Sequence, residues 1–407
     1  MGKSKINRSL ILIFLGYTCV YLDKNIISLS VIPIAQDLGI DAGQKGLILS
    51  AFFLGYTLFQ IPFGFLGNRL GSRKIMIFAV FLIGLLMICL GMGFSFLYLL
   101  FVRFAAGSFA HAGYPSAVSA FVTKEVEPDK RGPVQSSMIA SSGFAGIVGP
   151  ILVAPLLTLV GWKMTYFIYG GIVIVIGLLM IKGIPKSSGK PIVSANQANI
   201  SFFEVIKDRN VWIMVFAAFF INAAVYGMTG WIASYLVDEF SLTMNKMAMM
   251  SALIGLVMMI SAMFAGSMIG RYFKDREKQV ILVASTMGAI VAFLLARSHS
   301  LVLSMIFLAI AVAAASISFA TLMSLPVKLF AEREVSTKYS IINAIGVSGG
   351  FFAPMIIGWL VNASGSYGGA FSFIALVFIL AGIVSLAIQT KDTKEAAVEL
   401  ELSLIHI

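Results

Sequence analysis

The sequence predicts an all-α membrane protein of twelve transmembrane helices arranged as two pseudo-symmetric six-helix halves. Three observations predict it. Only 12% of the 407 residues are charged while 59% are hydrophobic, with a mean hydropathy of +0.97; soluble domains average about 25% charged. Apolar stretches of roughly 20 residues, the length that crosses the hydrocarbon of a bilayer, recur along the whole chain. Finally, features of the first half return in the second at an offset of about 204 residues. A helix is the only open-chain way to satisfy the backbone in hydrocarbon, so each stretch is expected to be helical.

The first span, about 9–31, carries Asp23, Lys24 and Asn25 in its second half. A central Asp or Lys costs about 2.5–3.5 kcal/mol on insertion scales, so these residues are expected to face a polar cavity. The second, about 46–66, has Tyr56 and Gln60 on one face and runs into a loop rich in glycine and arginine, Gly64 to Lys74. The third follows at about 75–93. The fourth, about 96–122, contains Arg103 and His111. The fifth, about 134–158, has small residues (Gly143, Gly146, Gly149) before Pro150, and the sixth, about 164–182, follows Gly161.

Residues 183–209 break the pattern as a long polar linker with Pro185, Gly189 and Pro191, in which Ser201 to Lys207 reads as a short amphipathic helix. It divides the chain into an N-terminal bundle (1–182), a cytoplasmic linker (183–209) and a C-terminal bundle with a short tail (210–407). The seventh span, about 210–237, places Asn222, Tyr226 and Thr229 on one face. The eighth, about 247–270, is methionine-rich, read as adaptable packing. The ninth and tenth, about 279–297 and 301–326, are apolar throughout. The eleventh, about 339–362, starts with Asn343, Gly346 and Gly350 before Pro354, and the twelfth covers about 369–389. The internal repeat matches Pro150 with Pro354, Gly161 with Gly365, Phe167 with Phe371, and the Gly64–Arg69 loop with Gly266–Arg271. Duplicated halves about a central linker are characteristic of secondary transporters.

The basic balance, +11 with a pI near 9.6, is accounted for by topology. Of the 29 Lys and Arg, four fall in loops of one face (Lys45, Lys163, Lys246, Arg297) and two inside spans (Lys24, Arg103); the rest share the face of the termini. The positive-inside rule then puts both termini in the cytoplasm of a cell (inner or plasma) membrane protein, and nucleic acid is not an expected partner. Cys19 and Cys89 both sit in apolar segments and the three histidines lack metal-ligand spacing, so no cofactor or metal is expected. Neither H-E-x-x-H, a Walker loop nor paired acids in a cleft occurs, and an enzyme is not expected.

The loop with Gly64, Gly67, Asn68, Arg69, Gly71, Arg73 and Lys74 resembles the signature between the second and third helices of the major facilitator superfamily. There the glycines allow close helix approach and the cations act as a gating loop between the halves. Asn68 stands where the family usually has Asp. A finer resemblance is to the anion:cation symporter branch, bacterial sugar-acid transporters and sialin-like proteins. It is carried by Tyr21 to Lys24, Gly46 to Tyr56 with Gln60 to Gly64, Arg103 with Gly107, Tyr114 and Pro115, and Asn343 with Gly349, Gly350, Pro354 and Gly358. The resemblance implies inverted three-helix repeats within each half, a monomer in the lipid bilayer, and import of a small organic anion with protons. Two departures stand out. Lys24 replaces the usual Arg, and the embedded Glu expected seven residues after Arg103 is Ala110, with His111 next to it.

On the first span Tyr17, Tyr21, Lys24 and Ser28 form one helical stripe, expected to line the cavity with Lys24 holding the anion and the tyrosines offering hydroxyls. Tyr56, Gln60, Asn222, Tyr226 and Asn343 are the further candidate substrate contacts, each alone equally an interhelical hydrogen-bonder. Asp23, His111 and Arg103 are candidates for proton coupling or for a structural ion pair. A uniporter or exchanger of the same substrates stays open as the alternative; a cation or drug exporter and a non-transporting sensor fit less well.

Overall fold

The computed structural model describes residues 3–185, 205, 207–273 and 275–389. Most of the linker, and with it the amphipathic segment Ser201 to Lys207, lies outside the described residues. So do the side chains of Asn68 and Arg69 in the gating loop, together with Gly64.

Among the described residues eleven helices are long and apolar enough to cross a membrane. The 29-residue helix Ala42–Leu70 makes the twelfth. The spans run longer than their apolar stretches. The first is Lys3–Leu38, the second Ala42–Leu70, the third Ser72–Gly91, the fifth Pro128–Leu159 and the sixth Gly161–Gly183. The seventh is Arg209–Phe240, the eighth Met244–Tyr272, the ninth Glu277–Leu295, the tenth Leu301–Leu329 and the twelfth Gly368–Leu386. Two spans expected to be continuous are broken. The fourth consists of Phe96–Ala105, a π turn Ala106–His111 and Tyr114–Glu125; the eleventh divides into Glu332–Gly346 and Gly349–Ser364.

Large apolar side chains stay exposed around the outside, among them Phe78, Leu85, Ile172, Val175, Ile290, Phe293 and Ile379. They lie on the third, sixth, ninth and twelfth spans, and an apolar surface of that extent requires lipid rather than water around it.

The third and sixth spans pack together, as do the ninth and twelfth, and the first span lies against the fifth and sixth. The halves meet chiefly through two helix pairs, the second with the eleventh and the fifth with the eighth. Under the sequence repeat each pair maps onto the other. At the end opposite Lys3, the second and eleventh spans touch backbone to backbone: a Cβ on Gly46 would lie 2.5 Å from the Pro354 carbonyl oxygen, and one on Gly358 2.5 Å from that of Ala42. Only glycine permits this approach. The second and eleventh spans therefore close against each other at the end away from Lys3.

The duplication also shows in polar ties that the sequence did not reveal. Trp162 Nε1 donates to Asp37 across the ends of the sixth and first spans (3.1 Å); Tyr367 Oη donates to Asp238 across the ends of the twelfth and seventh (2.7 Å). At the opposite face Arg73 donates to the Ile184 and Ile181 carbonyls, both at 2.6 Å, and Lys278 donates to the Ile388 carbonyl at 3.0 Å. A cation thus covers the orphan carbonyls at the C-terminal end of the sixth or twelfth span. Arg73, expected at the gate between halves, is here engaged within its own half.

Asp208 caps the seventh span through the Asn210 amide (2.9 Å) and accepts from Lys338 of the eleventh (2.5 Å). Burial pushes its carboxyl pKa up, but the bonds from Lys338, Asn210 and Val211 outweigh this and hold it below the ordinary value. A depressed carboxyl contributes stability above its unfolded pKa of about 3.9, and that stability is lost as pH falls through the folded value. Asp208→Asn is therefore expected to lower the thermal midpoint in detergent at pH 7. The gap to the parent protein should close as pH drops through the carboxylate range, and a gap that does not change with pH would contradict this role.

Candidate functional site

Lys24 sits on the first span at the interface between the halves. Its Nζ donates to Tyr226 Oη of the seventh span at 2.8 Å. Lys24 and Tyr226 are 202 residues apart, close to the repeat offset, so the bond lies near the pseudo-symmetry axis relating the halves. Around the ammonium stand four aromatic rings, with centroids at 4.2 Å (Tyr226), 4.9 Å (Phe53), 5.9 Å (Tyr56) and 6.0 Å (Phe52). A ring face attracts a cation but supplies no counter-charge, which leaves the Lys24 amine without an acid partner among the described residues.

Tyr56 has Tyr21, Tyr226 and Tyr339 as electrostatic neighbours, so four phenols drawn from four spans lie near one another. Tyr17 is buried in the packing, its ring 5.3 Å from Tyr21 and 5.2 Å from Tyr114. Beside and one turn beyond Tyr56 the second span carries Thr57 Oγ1 and Gln60 Oε1, both buried without a hydrogen-bond partner among the described residues. Buried polar atoms are rarely left unpaired, which makes these two suited to a polar solute.

Other predicted residues are occupied locally. Asn222 donates to the Ala218 carbonyl of its own helix (2.8 Å), Thr229 to Val225 (2.8 Å) and Ser28 to Asn25 (2.8 Å). Asn343 is half-buried near the break in the eleventh span.

A second cluster lies beside the first, about 100° round the first span. Asp23 Oδ2 is 2.8 Å from His111 Nε2 and 3.6 Å from an Arg103 guanidinium nitrogen. Asp23, Arg103 and His111 are 2%, 1% and 1% exposed, so Arg103 is a core residue rather than an interfacial anchor. Arg103 Nε and Nη1 have no hydrogen-bond partner, which leaves the guanidinium under-satisfied and able to draw Asp23 closer.

The π turn explains how two residues eight apart reach the same carboxylate. At about 100° per residue an α-helix would hold positions 103 and 111 about 80° apart. A π turn accommodates roughly one extra residue, a step back of about 100°, and the two side chains come nearly into line. The same shift gives His111 the direction that an unbroken helix would give residue 110. His111 therefore faces Asp23 directly, whereas helical phase alone had put it one step off. Sequence reasoning had no signal for the π turn.

Phe52 joins the two clusters. Its ring lies 4.8 Å from the Arg103 guanidinium, has the His111 ring edge-on at 4.7 Å, and stacks on Tyr56 at 6.1 Å. The second and fourth spans come close enough for this because of Gly107, where a Cβ would lie 1.9 Å from the Phe52 carbonyl oxygen. Phe52 and Phe53 were missed in the sequence, although Phe53, Tyr56 and Gln60 share the helical spacing i, i+3, i+7.

The family model described as Major Facilitator Superfamily matches residues 13–354. A protein of Cupriavidus necator named "Probable sulfoacetate transporter" is 25% identical, the match covering 94% of this chain and 93% of the relative. The hexuronate transporter of Bacillus subtilis is 23% identical, over 89% of each chain. The crystal structure of a bacterial homolog to the human lysosomal transporter Spinster superposes with a TM-score of 0.81 over 95% of this chain and 97% of its own. At 16% identity that likeness establishes the fold alone.

Proposed function

The chain belongs to the major facilitator superfamily, a family of membrane transport proteins, and from that premise we propose that it imports a small organic anion together with protons. The substrate class is a sugar acid, hydroxy acid or similar carboxylate, and the mechanism is alternating access with the halves rocking about Lys24. One observation carries the reading: a lysine deep in the spans, walled by aromatic rings and, among the described residues, bonded only to a phenol of the opposite half with no acid of its own. The transporter names of the relatives, sulfoacetate and hexuronate, support the same class.

In this reading a substrate carboxylate takes the ammonium from Tyr226 Oη, and the phenol is left to bond the substrate. Contacts to Lys24 from the first half and Tyr226 from the second then link both halves to one solute. The tyrosine ring faces suit the C–H face of a sugar acid, and Thr57 and Gln60 suit its hydroxyls. With the positive-inside orientation the closed Gly46–Gly358 end is the exterior one, so loading in this conformation is from the cytoplasm and the opposite conformation captures substrate outside.

The Asp23–His111–Arg103 cluster carries the proton. Arg103 and ionised Asp23 cancel, and an added proton on the Asp23–His111 pair leaves a net positive charge near Lys24. An anion on Lys24 offsets that charge, so anion and proton each favour binding of the other, reciprocally. A thermal-shift screen of the purified protein against sugar acids, hydroxy acids, neutral sugars and amines tests the substrate class. Stabilisation by carboxylates is expected; stabilisation by neutral or cationic compounds alone would contradict it.

A further inference from the structure

We propose that the site selects monoanions over dianions of the same skeleton, and that Phe52 is the partition that sets this preference. The inference rests on the anion reading and sharpens it to one negative charge per substrate.

Among the described residues, four ionisable side chains other than tyrosine and cysteine lie well inside the spans near the site: Asp23, Lys24, Arg103 and His111. Lys24 is half-buried and faces the aromatic wall, whereas the other three are almost wholly enclosed. Arg103 is already opposed by Asp23, and the Phe52 ring, 1% exposed, packs directly against its guanidinium. A solute at Lys24 therefore meets one cation.

The remainder of the wall is Phe53, Tyr56, Tyr226, Thr57 and Gln60. Phenol and threonine hydroxyls and the Gln60 amide can donate to a solute, but none carries a positive charge. A second carboxylate would have to leave water for this wall without a counter-ion, which is strongly unfavourable. A terminal hydroxymethyl group at the same place meets partners of the right kind. The matched ligand is a hydroxylated acid with a single carboxylate.

The test is competition binding to the full-length protein in detergent at pH 7.5, comparing D-gluconate with D-glucarate. These share six carbons and four chain hydroxyls, and differ in whether the far end is a hydroxymethyl or a second carboxylate. Gluconate is expected to bind at least about tenfold more tightly, and Phe52→Ala is expected to shrink that ratio by opening Arg103 to the second carboxylate. Glucarate binding as tightly as gluconate, or more so, would overturn the selectivity while leaving the anion reading in place. Failure of both acids, with binding of glucose alone, would overturn the anion reading itself. A folded Phe52→Ala protein with an unchanged ratio would remove Phe52 as the partition, and if that variant does not fold, the wild-type comparison still decides the selectivity.

Discussion

Lys24→Gln is expected to weaken binding of an anionic substrate by at least tenfold and to abolish its uptake. Glutamine, one atom shorter, keeps a hydrogen-bond donor but removes the charge, so the loss reports chiefly the charge. A hydrogen bond to a charged group contributes about 1.5–3 kcal/mol, equivalent to roughly 10- to 100-fold in affinity, and the aromatic surroundings place it at the upper end of that range. The bond to Tyr226 should survive in the variant as a neutral one, so folding is expected to be retained. Lys24→Arg should keep binding, because the positive charge remains among the same four rings. Unaltered affinity in Lys24→Gln, measured by isothermal titration with a carboxylate that stabilises the parent protein, would remove Lys24 as the anchor.

Asp23→Asn and His111→Ala are expected to separate two activities that are usually lost together. Both should lose uptake driven by a pH gradient, and both should keep counterflow exchange, in which labelled and unlabelled substrate trade places without net proton movement. The physical reason is the position of the cluster. It lies against Phe52 and is enclosed to within a few per cent, so the proposed coupling role needs proton access but no contact with the substrate. Asp23→Asn also leaves Arg103 without its carboxylate, and removing one partner of a buried pair costs about 3–5 kcal/mol. His111→Ala is then the cleaner variant, since Asp23 keeps Arg103 at its side. Loss of counterflow together with driven uptake in folded His111→Ala protein would assign His111 to substrate binding or to packing.

The twelve spans, the duplication and the embedded charges of the first span were legible in the sequence because each rests on a strong local signal. Hydrocarbon imposes long apolar runs, and Asp23 and Lys24 stand out against them. What was not legible depends on how neighbours alter helical phase. His111 reaches Asp23 only through the π turn, which contains the Gly107 that packs against the second span and leaves no mark in composition or period. Phe52 and Phe53 read as ordinary apolar residues, since a lipid-facing and a cavity-facing phenylalanine are alike in sequence. Asn222 shows the opposite error. Its face was read correctly, but a carbonyl one turn away takes its amide. The ties from Trp162 to Asp37 and from Tyr367 to Asp238 emerge once the two halves are laid over each other in space.

Uptake by proteoliposomes loaded at neutral pH tests the account most directly, with a stabilising sugar acid supplied outside. An acidic exterior should accelerate uptake, and adding substrate to weakly buffered vesicles should alkalinise the medium as protons enter with it. Equal uptake in pH-equilibrated, depolarised vesicles, with no pH change on adding substrate, would contradict proton coupling and identify a uniporter or exchanger.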